Sequence, residues 1–245
     1  MLSPRMPENA FFNSTTAANL LGVPLPLALR ASAILDVAVP FPARSSTARG
    51  VRGHSVHLMG GDTRMVRGLR VSNFPRLWCE LAAVLELRDL VAAGDHLIHW
   101  RLPMCSRADL ADAVARYPGQ RGRARLRAAL ALLNERSESP RESILRVLLH
   151  EGGITGLAVN LPVTVRGMTF RLDLALPEFK LALEYQGEHH NDPVQWRKDM
   201  TKREMLATDG WLTMDINADD LHGSELVQRV RFVLALRAGD STRAK

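Results

Sequence analysis

The 245-residue sequence predicts an α/β protein whose core, over residues 135–245, runs helix, three-stranded meander, helix, strand, helix. A smaller α+β domain over residues 1–134 precedes it. Three observations carry this reading. Ser139-Pro140-Arg141-Glu142 is a helix-start signal, with serine at the N-cap, proline at the first helical position and glutamate where it closes a capping box. Three alternating apolar and polar runs follow it, divided by Arg166-Gly167 and Pro177-Glu178-Phe179. Apolar residues in the first half change from strand period to helical period at about residue 74.

In chain order, Thr15 to Leu21 reads as a short helix stopped by Gly22 and the Pro24/Pro26 pair. Ile34 to Val39, Val51 to Leu58 and Met65 to Val71 read as three strands between turn-rich segments. Leu77, Leu81, Val84 and Leu85 form one helical stripe, and Leu90, Val91, Gly94, Leu97 and Ile98 a second. Helices follow at about Arg107 to Tyr117 and Arg121 to Leu133, broken by Pro118-Gly119. In the second half, Ile144, Leu145, Leu148 and Leu149 give the buried face of a helix that Gly152-Gly153 ends. Leu157 to Val165, Met168 to Leu176 and Lys180 to Tyr185 are the meander. A helix from about Pro193 to Thr208, a strand from Trp211 to Ile216 and a helix from about Ser224 to Arg237 complete the chain.

Composition narrows the function classes. Hydrophobic residues at 46% and charged ones at 24% are globular values, which excludes wholesale disorder, collagen and coiled coil. Two cysteines, Cys79 and Cys105, cannot build a disulfide framework or a tetrahedral zinc site by themselves. A reduced, cytoplasmic protein is expected. Only four of the 32 basic residues are lysines. Residues 1–130 hold 17 basic against 9 acidic side chains, net +8, while the rest is net −2. An arginine surplus of this kind suits a polyanionic partner, although an arginine-rich proteome would leave the same trace. Ala17 to Leu29 resembles a signal-peptide apolar segment, but Pro24 and Pro26 interrupt it and Glu8 offsets Arg5. No apolar run reaches the roughly 20 residues that span a bilayer, so no membrane partner is expected.

The chemistry concentrates in the meander. With residues 177–180 as a four-residue loop, 176 faces 181 and 173 faces 184, so Asp173 sits across from Glu184. Alternation puts Phe170, Leu172 and Leu174 on one face and Arg171, Asp173 and Ala175 on the other. Two carboxylates held that close share a proton or bind a cation, and an oxygen-only pair suits Mg²⁺ or Mn²⁺. Such an ion polarises a phosphodiester and activates water. An exposed sheet face on which both acids pair with Arg171 and other cations is the alternative. Glu184-Tyr185-Gln186-Gly187-Glu188-His189-His190 weighs against it, because it brings many reactive groups to one strand end. His190 is the histidine expected in the site, with a capping or core role as its alternative. Glu142 has two compatible roles, in the capping box and beside the acidic pair. On the helix after the strands, Trp196 and Met200 read as core, and Arg197, Lys198, Lys202 and Arg203 as phosphate contacts or a solvated face.

These motifs, SPRES, FRLDLALPEFKLALEYQGEHH, QWRKDMTKREMLATDGW and INADDL between Ser139 and Leu221, resemble the very-short-patch-repair-like branch of the PD-(D/E)XK nucleases, the domain of unknown function 559. The resemblance implies a restriction-endonuclease-like fold, Asp173 and Glu184 as metal ligands, and Glu142 as the acidic residue of the preceding helix. Gln186 stands where the superfamily has lysine, a departure that bears on activity. More weakly, TAANLLGVPLP and ELAAVLELRDLVAAGDHLI resemble the region preceding this domain in proteins related to abortive-infection antitoxins. There a winged helix comes first; here too few residues precede TAANLLG for a full one, so the expectation is either a truncated start or DNA contact through arginines of the remaining domain. The expectation is therefore a Mg²⁺-dependent DNA endonuclease, with RNA as another possible substrate. Its rival is a non-cleaving, DNA-binding regulator of antitoxin type.

Overall fold

The computed structural model describes residues 7–187 and 193–243, except the side chains of 193–196 and 240–243. The chain is mixed α/β and divides into two compact units, Met1–Glu135 and Arg136–Lys245. The first unit is the longer, which corrects the expectation of a smaller N-terminal domain.

In the first unit, β1 (Phe11–Phe12), α1 (Ser14–Leu21), α2 (Leu27–Arg30), β2 (Leu35–Pro40) and β3 (Val51–Val56) precede β4 (Thr63–Val66) and β5 (Leu69–Ser72). The sheet order is β3-β2-β1-β5-β4. Its central strand, β1, is two buried phenylalanines antiparallel to β2 and parallel to β5, too short to leave a periodic trace in sequence. The single strand expected from Met65 to Val71 is a hairpin, with Val66 opposite Leu69. Arg67 and Gly68 both adopt positive φ, 48° and 76°, the geometry of a two-residue turn that matches strand twist.

Helices α3 (Phe74–Leu81), α4 (Leu87–Leu97), α5 (Arg107–Arg116) and α6 (Arg123–Leu132) complete this unit. Leu77, Trp78, Leu81, Leu90 and Leu97 are fully buried. The Trp78 indole N–H donates to the Leu90 carbonyl at 2.9 Å. A Cβ on Gly94 would lie 2.4 Å from Leu133 Cδ2, so the close approach of these elements requires glycine.

The second unit is α7 (Pro140–Glu151), β6 (Ala158–Val165), β7 (Met168–Leu176), β8 (Leu181–Tyr185), α8 (Pro193–Thr208), β9 (Leu212–Ile216) and α9 (Glu225–Arg243). Its sheet order is β6-β7-β8-β9, antiparallel except for the parallel β8–β9 pair. Pro177–Phe179 forms a 3₁₀ turn and Lys180 is left-handed, which sets Leu176 opposite Leu181. One apolar cluster joins Leu145 and Leu149 of α7 to Leu174, Leu176, Leu181, Leu183, Ile216 and Leu226. A second joins Leu172, Ala175 and Ala182 to Leu206 and Trp211.

Those two clusters correct the simple alternation expected along β7. Leu174 packs in the first, whereas Leu172 and Phe170 pack in the second beside Ala175. The change of face coincides with a gap in the β6–β7 ladder. Val159 pairs Leu174 and Leu161 pairs Leu172, but Asn160, at φ 50°, stands unpaired in the ladder opposite Asp173. A left-handed residue re-aims the strand, and here it does so at the acidic position.

Candidate active site

The ladder between β7 and β8 is paired from Leu176–Leu181 to Leu174–Leu183. One step further, the Asp173 carboxylate accepts the Tyr185 backbone N–H at 2.9 Å, taking the place of a backbone acceptor. Asp173 thereby reaches toward the end of β8 where Glu184 sits. Glu184 is itself 9% exposed and pairs in register with Asp215 of β9. Its Oε2 accepts from Lys202 Nζ of α8 at 2.5 Å, and the same ammonium donates to the Arg171 carbonyl at 2.7 Å. Glu184 Oε1 is buried with no hydrogen-bond partner among the described residues. An exposed sheet face is not what surrounds this pair.

Glu142 reaches the same neighbourhood from the first turn of α7. The Ser139 hydroxyl accepts the Glu142 N–H at 3.2 Å, while the Glu142 carboxylate accepts the Glu138 N–H at 3.0 Å and bonds the Ser139 side chain, not the Ser139 backbone N–H. The expected capping box is thus half made. Burial, and then the negative charge of Asp173, push Glu142 up to about 7 from an ordinary value of 4.5. Burial also raises Asp173, against the Tyr185 N–H and the Lys202 ammonium, which lower it. Glu184 is raised by burial and by Asp173, with Lys202 opposing. These carboxylates are held where their charges disfavour one another and water does little to relieve them.

Other residues expected at the site separate into distinct settings. The Gln186 amide donates to Asp215 Oδ1 at 2.8 Å, so its side chain is directed along the sheet to β9. Arg203 pairs with Asp215 at 2.5 Å. Arg197 and Lys198 are exposed, and Met200, expected in the core, is 36% exposed. His190 and the side chain of Trp196 lie outside the described residues. Glu138, Asn160 and Asp215 belong to the site and carry no sequence signal that singles them out. Asn160 Nδ2 donates to Glu138 Oε1 at 2.7 Å, and Glu138 adds negative charge near Asp173. Lys202 was legible only as one cation of a basic helix.

Asp173 and Glu184 offer oxygen donors from neighbouring strands, and the unpartnered buried Glu184 Oε1 is the kind of atom that a cation would satisfy. Among the described residues no three His, Cys, Asp or Glu side chains assemble as a metal-holding group. Mg²⁺ is commonly held by one or two carboxylates, with water and substrate phosphate completing its shell, so a two-carboxylate donor set fits it. No helix among the described residues is long and apolar enough to cross a membrane.

The chain is 32% identical over 165 residues to an uncharacterized protein of Mycobacterium tuberculosis strain CDC 1551 / Oshkosh, and equally to one of strain ATCC 25618 / H37Rv. The match takes in 66% of this chain and spans only 60% of the length of each relative. No protein-family model matches the chain, and no solved structure matches it.

Proposed function

We propose that the C-terminal unit is a Mg²⁺- or Mn²⁺-dependent endonuclease of restriction-endonuclease-like fold that hydrolyses phosphodiester bonds in DNA. One observation carries this reading: Asp173 and Glu184 converge from adjacent strands, with Lys202 against one Glu184 oxygen and the other buried without a partner among the described residues. A hard cation at Asp173 and Glu184 would supply Lewis acidity toward the scissile phosphate and a more acidic water. Asp173 is oriented for this by the Tyr185 N–H, and Glu184 by Lys202. Lys202 brings a positive charge to Glu184 from α8 and not from the position of Gln186. Glu142, raised to about 7, is able to take or give a proton near neutral pH. Exposed Arg197 and Lys198 on α8 suit the phosphate backbone of the substrate. Free Cys79 and Cys105 suit a reduced, cytoplasmic setting.

A second reading, a non-cleaving DNA-binding regulator of antitoxin type, draws support from Gln186, whose amide is spent on Asp215. Nicking of supercoiled DNA separates the two. The endonuclease reading expects Mg²⁺- or Mn²⁺-dependent nicking that Asp173→Ala abolishes while salt-sensitive DNA binding persists. Binding by the wild-type protein without nicking under either ion would establish the regulator in its place.

A further inference from the structure

The N-terminal unit holds a cavity of about 730 Å³. That lies within the roughly 300–1,000 Å³ typical of small-molecule sites. Asn13 and Ser14 line it from the start of α1, Arg52 and His54 from β3, and Tyr117 and Arg121 from the segment between α5 and α6. Behind this wall, fully buried Asp36 accepts the Thr15 hydroxyl at 2.6 Å and contacts His54 Nε2 at 3.1 Å and Arg52 Nη1 at 3.3 Å. One buried carboxylate therefore aligns two basic side chains along one side of the cavity.

The acids that face the cavity already have partners. Glu80 accepts from the Ser14 N–H, the Ser72 hydroxyl and Arg76 Nε, and Glu86 pairs with Arg125. Arg121 makes no hydrogen bond or ion pair with the described residues. The charge of Arg121 is thus left for a ligand, and Arg52, tied to Asp36 through Nη1, is half-exposed with further guanidinium N–H groups that match phosphate oxygens.

A second feature calls for a donor. Asn13 is 3% exposed and stands at the N-cap of α1, yet its side chain makes no capping bond and its Oδ1 is buried without a partner among the described residues. The next residue, Ser14, is held at φ 47°, in the left-handed region that non-glycine residues enter at a cost. A buried acceptor left unsatisfied beside a strained residue is the arrangement expected of a ligand clamp. The missing partner is an N–H or O–H.

We propose that this cavity binds a nucleoside monophosphate group, its phosphate on Arg52 and Arg121 and an N–H of its base on Asn13 Oδ1. Val84 and the ring of Tyr117 supply apolar surface for the base. The group is either a free nucleotide or the 5′-phosphorylated end of a strand. This site is separate from the acidic pair of the C-terminal unit and does not rest on the nuclease reading.

Calorimetric titration of the full chain with AMP, GMP, CMP and UMP tests the proposal, beside inorganic phosphate and short oligonucleotides bearing a 5′-phosphate or a 5′-hydroxyl. At least one nucleotide or the 5′-phosphorylated strand should bind below about 1 mM, and Arg52→Ala/Arg121→Ala should weaken it at least about tenfold. Both arginines are accessible from solvent, and an unchanged melting temperature without ligand confirms the fold. Asn13→Ala should weaken the nucleotide but not inorganic phosphate. Tighter binding of the 5′-phosphorylated strand than of its 5′-hydroxyl counterpart or the nucleotides assigns the site to strand ends; the reverse assigns it to free nucleotides. No binding, binding unaltered in the double variant, or equal affinity for inorganic phosphate would overturn the proposal.

Discussion

Lys202 Nζ lies 2.5 Å from Glu184 Oε2, joining the second helix of the C-terminal unit to the third strand of its sheet through a largely buried ion pair. Removing one partner of such a pair leaves an uncompensated charge and costs about 3–5 kcal/mol. Lys202→Met should therefore destabilise the unit as well as lower nicking, by on the order of 10²–10³-fold if the ammonium stabilises transition-state charge. The double variant Glu184→Gln/Lys202→Met removes both charges and should recover much of the stability without recovering activity. Urea unfolding and plasmid nicking together check this. Lys202→Met that nicks like wild type would leave Lys202 a structural role only.

Glu142 makes the stability of the fold depend on pH in a direction opposite to a salt-bridged acid. Its folded value of about 7 lies above the ordinary 4.5, so the folded chain binds the proton more tightly than the unfolded one. The stabilisation is fully present below pH 4.5 and is lost as pH rises through about 7. The size is on the order of 3 kcal/mol. In EDTA, wild-type protein should lose stability relative to Glu142→Gln between these limits. Parallel curves for the two proteins in urea unfolding at stepped pH would show that Glu142 titrates normally.

Asp173 combines a structural bond with an unfavourable charge, and two substitutions separate them. Asparagine keeps an oxygen for the Tyr185 N–H while removing a half-buried negative charge beside Glu184; alanine removes both. Without divalent ions near pH 8, Asp173→Asn should unfold at higher denaturant than wild type. Asp173→Ala should fall below Asp173→Asn by about 1–3 kcal/mol, the cost of an unsatisfied buried group. Mg²⁺ should stabilise wild type and neither variant, by mass action on the folded state. Equal stabilisation of all three by Mg²⁺ would place cation binding away from Asp173.

The meander was legible because its turns carry strong local signals and its apolar residues alternate. Arg166-Gly167 lies between two clear runs, and both residues adopt the positive φ that a tight turn demands. The same dipeptide at Arg67-Gly68 is hidden inside what reads as one continuous strand, so only the structure reveals that hairpin. Phe11–Phe12 was missed because two residues have no period. At the site, the register that sets Leu176 opposite Leu181 and Leu174 opposite Leu183 follows from loop length. The reversal at Asn160 does not, because a left-handed asparagine looks like any other in sequence. Lys202 and Arg203 are adjacent cations on one helix, and only the helix's seat on the sheet decides that they meet Glu184 and Asp215.

That seat also changes which cations remain for a polyanion. Arg197, Lys198, Lys202 and Arg203 all suit phosphate contacts by sequence, but the last two already meet acids of the sheet. Arg197 and Lys198 are exposed one turn earlier. Each phosphate contact contributes roughly 0.9 to the slope of log affinity against log salt concentration for duplex DNA. Arg197→Ala/Lys198→Ala should therefore lower that slope by nearly two, whereas Arg203→Ala should change it by much less. Binding isotherms from about 50 to 200 mM salt resolve the difference. A full slope in the first variant would transfer the DNA-binding surface to other cations, and Arg121, Arg123, Arg125 and Arg127 of the N-terminal unit are the next to substitute.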